Sequence, residues 1–249
     1  MEISLDKLLG GRVELFQPKQ GFKATTDSVI LAASIPFKQG ERAIDLGSGL
    51  GVASLCLVAR VSDAKVIGLE KNNDLVSLSN KSAKYMNVAD RINFISCNIF
   101  NIEKPLYDSL NNMDHVILNP PWYSDRPFNR MENKEKRNAK VELNADLYDW
   151  LKVCRSLLSR RGRVTLIHRA ESLSKVIFSL VKNQFGDITI LPVMSKSGAS
   201  AKTIVVSALS GSKGKCNIMS NIYLHDRRGN YTRTAEDILR NAKPTALGL

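Results

Sequence analysis

Seven short apolar runs, alternating with longer amphipathic stretches, constrain the fold of this chain more than any other feature. The runs lie near residues 43–46, 65–69, 92–96, 115–118, 163–168, 187–192 and 202–209. Amphipathic stretches of helical length fall near 51–61, 73–86, 146–159 and 172–184. Strands and helices in that order are the pattern of a doubly wound α/β sheet with helices on both faces.

At 249 residues and 43% hydrophobic composition, the chain can bury one large core. Residues 1–40 read as a lead-in: a hairpin-like β segment near 13–16, a turn, and a helix over 26–34. Residues 41–210 hold the seven strands, and 211–249 form a basic extension of the same domain. In that extension a basic turn at 211–215 precedes a strand near 221–224, a second turn at 226–230, and a helix to Arg240 capped by Thr234 with Asp237. Neither an internal repeat nor a proline- or serine-rich linker marks a second domain. The amino terminus lacks the basic-then-apolar order of a signal peptide, and no run approaches the length of a bilayer, so a soluble cytoplasmic protein is expected. Cys56, Cys97, Cys154 and Cys216 contain no Cys-x-x-Cys pair, and His115, His168 and His225 are equally scattered; no metal site is expected.

Ile44-Asp45-Leu46-Gly47-Ser48-Gly49-Leu50-Gly51 joins the first of the seven strands to a helix, where doubly wound sheets bind ligands. Its Gly-x-Gly-x-Gly spacing departs from the dinucleotide fingerprint, and no Gly-Lys-Ser/Thr comes after it, which disfavours a pyrophosphate. An acid at Asp45 repels phosphate and suits a ligand carrying an ammonium and a sulfonium. Glu70 ends the next strand, where a carboxylate can take both hydroxyls of a ribose. Together they point to S-adenosylmethionine. Each acid also has a plainer reading, Asp45 as a turn cap and Glu70 as a surface residue beside Lys71.

Asn119-Pro120-Pro121-Trp122 comes directly after the apolar run 115–118. Two prolines hold the backbone rigid and leave carbonyl oxygens free to accept hydrogen bonds. Asn119 adds a side-chain acceptor and Trp122 a flat stacking face, a combination suited to a planar amino group. A proline-punctuated turn is the alternative reading.

With these two motifs the chain resembles the class I S-adenosylmethionine-dependent methyltransferases that carry an Asn-Pro-Pro-aromatic tetrapeptide. The resemblance implies a Rossmann-like, seven-stranded, mostly parallel sheet whose last strand is antiparallel. It places Asp45, Gly47, Ser48, Gly49 and Gly51 under the methionine part of the cofactor, and Glu70, with Lys71 beside it, at the ribose. Where such families often use an acid for the adenine amino group, this chain has Cys97-Asn98-Ile99; Asn98 can still accept from adenine through its side-chain oxygen. Residues 21–33, with Leu224-His225-Asp226 and Gly229-Asn230-Tyr231-Thr232, are similar to bacterial tRNA1(Val) adenine-N6 methyltransferases over nearly the whole chain. By that likeness Thr26 and Asp27 lie beside the methionine end; as a helix cap they need no such role. Asn119, Pro120, Pro121 and Trp122 are then the catalytic group, and Ile99 and Asn119 also border the cofactor.

The +12 net charge is lopsided. Residues 1–149 hold 19 Lys and Arg against 19 Asp and Glu, whereas residues 150–249 hold 17 against 5. The second part is therefore the candidate polyanion surface, with Arg155, Arg160, Arg161, Arg163, Lys196, Lys202, Lys213, Lys215, Arg227 and Arg228 as candidate phosphate contacts. The polar stretch 124–142 leaves directly from the tetrapeptide and is expected to contact substrate. Transfer to N6 of an adenine in tRNA is the expectation, and the resemblance implies the adenine beside the anticodon. A protein glutamine amide, a DNA adenine, or a non-catalytic RNA-binding role are the alternatives.

Overall fold

The structure, a computed structural model, describes residues 2–121 and 145–249. Its centre is a nine-stranded sheet. Two earlier strands, β1 (Ile3–Leu8) and β2 (Val13–Pro18), pair with each other in a separate antiparallel hairpin. The strands of the large sheet are β3 (Arg42–Leu46), β4 (Lys65–Glu70), β5 (Ile92–Ser96), β6 (Met113–Leu118), β7 (Leu158–Arg169), β8 (Phe185–Lys196), β9 (Ala201–Ser210), β10 (Asn217–Ile218) and β11 (Ile222–His225). Across the sheet the order is β10, β8, β9, β7, β6, β3, β4, β5, with β11 also on β8. Every pair is parallel except those of β9, which runs antiparallel between β7 and β8.

All seven expected strands are present, and the seventh is the antiparallel one. β10 and β11 extend the sheet past that count by pairing with β8 at successive positions along its free edge. β3 and β6 read as continuous apolar runs because both their faces are covered. Ala43 and Ile117 face one core with helices α1 (Thr26–Ala33), α2 (Val52–Arg60) and α3 (Asn73–Tyr85). Ile44, Leu46, Val116 and Leu118 face the other, with α5 (Leu147–Leu157) and α6 (Leu173–Lys182). Each fully buried Leu or Ile contributes on the order of 1.5–3 kcal/mol.

Local signals explain some boundaries. Asn72 caps α3 by accepting from the amides of Asp74 and Leu75, and Asp146 with Asp149 forms a reciprocal capping box at the start of α5. The last helix, α7 (Arg233–Leu239), corrects the expectation: its cap is Thr232, whose hydroxyl accepts from the Ala235 amide at 3.1 Å. Thr234 is already inside the helix, and Asp237 turns the other way to accept from Asn241 and Lys243. One helix was not anticipated, α4 (Lys104–Leu110), a short segment with a single buried residue and hence little periodicity.

Gln17 ties the hairpin to the start of α1. This buried side chain donates to the Asp6 carboxylate and accepts from the Ala24 amide at 3.0 Å, so the segment entering α1 is held against β1 and β2.

Candidate active site

The carboxyl ends of β3, β4, β5, β6 and β7 converge with the start of α1 on a cavity of about 690 Å³. That lies inside the usual range for small-molecule sites, roughly 300–1,000 Å³. Twelve of the fifteen residues singled out from the sequence line it: Asp27, Asp45, Gly47, Ser48, Gly49, Glu70, Lys71, Asn98, Ile99, Asn119, Pro120 and Pro121. Thr26 opens α1 as an exposed residue and is not in the lining. Gly51 lies buried beneath the loop, where a Cβ would come 2.3 Å from the Phe94 ring. Trp122 and the stretch 124–142 fall outside the described residues.

The glycine loop takes its shape from backbone conformations that side chains resist. Gly47 and Gly49 both have positive φ, and a Cβ on Gly47 would sit 2.9 Å from the Trp150 ring. Glu70 bridges two loops, accepting from the Gly49 amide at 3.0 Å and the Asn72 amide at 2.9 Å. A carboxylate has further lone pairs beyond these two, so it retains capacity for ligand hydroxyls.

Asp45 lies beneath the loop, only 3% exposed, with the Ser54 hydroxyl donating to it at 2.6 Å. Burial pushes its carboxyl up to about 7, against the Ser54 hydrogen bond and with the help of the Glu70 charge. Burial also raises the Asp27 carboxyl above its ordinary range. Asp27, Asp45 and Glu70 all line the cavity, and a cationic ligand favours the charged forms of Asp45 and Asp27 that desolvation penalises. Asn98 accepts from the Phe100 amide at 3.1 Å, which turns the chain after β5 along the cavity wall.

Asn119 donates from Nδ2 to the Ser28 hydroxyl at 3.3 Å. Its carbonyl oxygen has no partner among the described residues and is available to a donor in the cavity. Pro120 is buried and Pro121 exposed, so the turn is anchored on one side and open on the other.

Several lining residues escaped the sequence reading. Ser28 holds the amide of Asn119, Phe22 flanks Gly49, and Trp150 packs on Gly47 and edge-to-face on Phe100 with ring centres 5.4 Å apart. Trp150 sits inside an amphipathic run and reads there as helix packing; the signal that marks it is the rarity of tryptophan, of which the chain has two. Arg169 lines the cavity from the end of β7. No histidine among the described residues lines the cavity: His115 is buried, 2.8 Å from the Glu41 carboxylate at the opposite end of β6, His168 directly precedes the lining residue Arg169 on β7, and His225 contacts the Ser195 carbonyl. Among the described residues no group of three or more His, Cys, Asp or Glu is placed to hold a metal, and no helix is long and apolar enough to cross a membrane.

The wall therefore fits the methyl donor implied by the resemblance. Its acids suit an ammonium and a sulfonium, the glycine loop allows close approach, and Trp150 with Phe100 supplies flat apolar surface.

Residues 37–184 match the model of a family described as "Methyltransferase domain". The tRNA1(Val) (adenine(37)-N6)-methyltransferase of Shewanella halifaxensis is 28% identical over 154 residues, 62% of this chain and 61% of its own length. The match thus spans about three fifths of that relative. The enzyme of the same description from Shewanella baltica is 24% identical over 223 residues, 89% of this chain and 92% of its own. Among solved structures, one described as a predicted O-methyltransferase from Agrobacterium tumefaciens superposes with a TM-score of 0.72 at 21% identity, covering 88% of this chain and 97% of that one. A SAM-dependent O-methyltransferase from Thermotoga maritima gives 0.55 at 16% identity, covering 78% and 68%. Both share the fold.

Proposed function

We propose a function whose premise is membership: this chain belongs to the methyltransferase domain family, which it matches over residues 37–184. Its methyl donor is S-adenosylmethionine. We take the acceptor to be the exocyclic N6 amino group of an adenine in tRNA, at the base beside the anticodon.

The observation that carries this reading is the meeting of Asn119 and Pro120 with the acidic glycine loop in one cavity. When bound, S-adenosylmethionine supplies an electrophilic methyl carbon on a positively charged sulfur. Asp45 and Asp27 attract its cationic groups, Glu70 accepts from its ribose, and Asn98 accepts from its adenine. The N6 lone pair of the target is delocalised into the ring, which makes that nitrogen a poor nucleophile. The Asn119 side-chain oxygen and the Pro120 carbonyl accept its two hydrogens, favour a more pyramidal nitrogen and direct the lone pair towards the donor. Placement and electrostatic complementarity then supply the acceleration, and the proton leaves late to water, so no histidine base is needed. The target base must leave its stack, and Trp122 offers a replacement surface worth about 1–3 kcal/mol.

RNA is favoured over a protein amide by the charge of residues 150–249, and the names of the relatives lean the same way. Mass spectrometry of tRNA nucleosides from cells with and without the gene tests it. Loss of N6-methyladenosine from tRNA is expected. Unchanged tRNA together with a lost methylglutamine in protein would move the acceptor to an amide.

A further inference from the structure

The sheet divides the basic residues of the second half between its two ends. β7, β8 and β11 run parallel to β3 and β6, so their carboxyl ends lie on the side of the cavity, and the antiparallel β9 starts from that side. Lys196 ends β8, Lys202 opens β9, and Arg227 and Arg228 come just after β11. Arg160 and Arg161 stand instead at the start of β7, and Lys213 and Lys215 come after the end of β9. Arg161 and the cavity-lining Arg169 are eight strand positions apart, roughly 26 Å at about 3.3 Å per residue.

The near group is also held in place. Asp226 accepts from the amides of Arg228 at 2.8 Å and Asn230 at 3.0 Å, and the Asp226 amide donates to the Asn230 carbonyl at 2.8 Å. His225 stacks on Tyr231 with ring centres 5.0 Å apart, and its Nδ1 lies 3.1 Å from the Ser195 carbonyl. This turn presents Arg227 and Arg228 at its exposed tip and ties them to the strand end that carries Lys196. The acid within the turn is occupied by backbone amides. Among the described residues Lys196, Lys202, Arg227 and Arg228 form no ion pair. From β6 outward they sit on the ends of successive strands β9, β8 and β11, a row displaced up to about 19 Å across the sheet at about 4.8 Å per strand and, at Lys196, about 20 Å along the strands past the level of Leu118 at about 3.3 Å per residue.

We propose that Lys196, Lys202, Arg227 and Arg228 form the track along which tRNA phosphates lie as the target base enters the cavity, and that Arg160, Arg161, Lys213 and Lys215 take no part. This rests on the tRNA reading above. Two quadruple alanine variants remove equal charge from exposed positions: Lys196→Ala, Lys202→Ala, Arg227→Ala, Arg228→Ala at the near end, and Arg160→Ala, Arg161→Ala, Lys213→Ala, Lys215→Ala at the far end. Binding of an unmodified tRNA transcript is measured across a salt series, with S-adenosylmethionine calorimetry confirming an intact cavity.

The near-end variant should lose at least about tenfold in tRNA affinity and flatten the salt slope by up to about three units, while the far-end variant stays within about twofold. Equal losses in both, or a loss confined to the far end, overturn the track while leaving the tRNA reading standing. A wild-type protein that binds S-adenosylmethionine but neither binds nor methylates tRNA overturns both.

Discussion

Asn119 donates an amide hydrogen to the hydroxyl of Ser28, 3.3 Å away, across the gap between the end of β6 and the first turn of α1. With Nδ2 turned to Ser28, the side-chain oxygen of Asn119 is left for a donor in the cavity. Were the amide reversed, an N–H pair would meet the hydrogens of the proposed acceptor amino group and repel them.

Replacing Asn119 by Ala should reduce methyl transfer by about a hundredfold or more, since it removes the proposed acceptor for the reacting nitrogen. Binding of S-adenosylmethionine should stay within a few-fold. Ser28→Ala removes one neutral hydrogen bond, about 1 kcal/mol, and should lower kcat by roughly 3–10-fold with the donor KM little changed. Steady-state kinetics beside calorimetry separate these; a loss of donor binding would make the turn structural.

Donor affinity should depend on pH through Asp45. The carboxyl, lifted to about 7, is largely neutral below that value and loses its attraction for a cation. Affinity should fall as pH drops through 7, by up to about tenfold per unit, and Asp45→Asn should bind weakly with no such dependence. The effect on stability has the opposite sign. The unliganded folded state holds a proton that the unfolded chain releases above 3.8, so this contribution is lost as pH rises through about 7. Calorimetry and denaturant titration on either side of pH 7 read both.

His115 should act on stability alone. Burial holds its imidazole below the ordinary 6.5 despite the Glu41 carboxylate, so the unfolded chain takes up a proton more readily. Its contribution is present above pH 6.5 and lost as the pH falls towards the folded value. His115→Phe, which keeps the stacking on Phe37, should flatten acid-side unfolding; unchanged pH dependence would count against this source.

Gly51 and Gly47 should separate fold from site. At Gly51 an added Cβ would meet the ring of Phe94 in the core at a left-handed φ, so Gly51→Ala should cost about 3 kcal/mol or more. At Gly47 the neighbour is Trp150 on the cavity wall, and Gly47→Ala should weaken donor binding more than it lowers Tm. Thermal melts with and without donor distinguish the two.

The sheet was legible because strands buried on both faces leave unbroken apolar runs, and the glycine loop because its residues must be small. The Thr232 cap was misplaced by two residues, since several polar residues near 232–237 satisfy the same capping pattern and only tertiary contacts choose among them. Trp150 and Arg169 were not recognised because each reaches the cavity from an element distant in sequence, and Ser28, beside Asp27 on α1, because its partner Asn119 lies 91 residues further along the chain. Their roles depend on which strands become neighbours, and that order is written in the packing of the whole sheet rather than in any local run.

Gln17 gives the mouth of the cavity a thermodynamic character of its own. By fastening the segment before α1 to β1 and β2, it charges the loss of chain freedom to folding rather than to ligand capture. A ligand entering past Phe22 and Ser28 therefore meets a rim already shaped. On that side of the cavity, ordering of the chain takes little from its affinity.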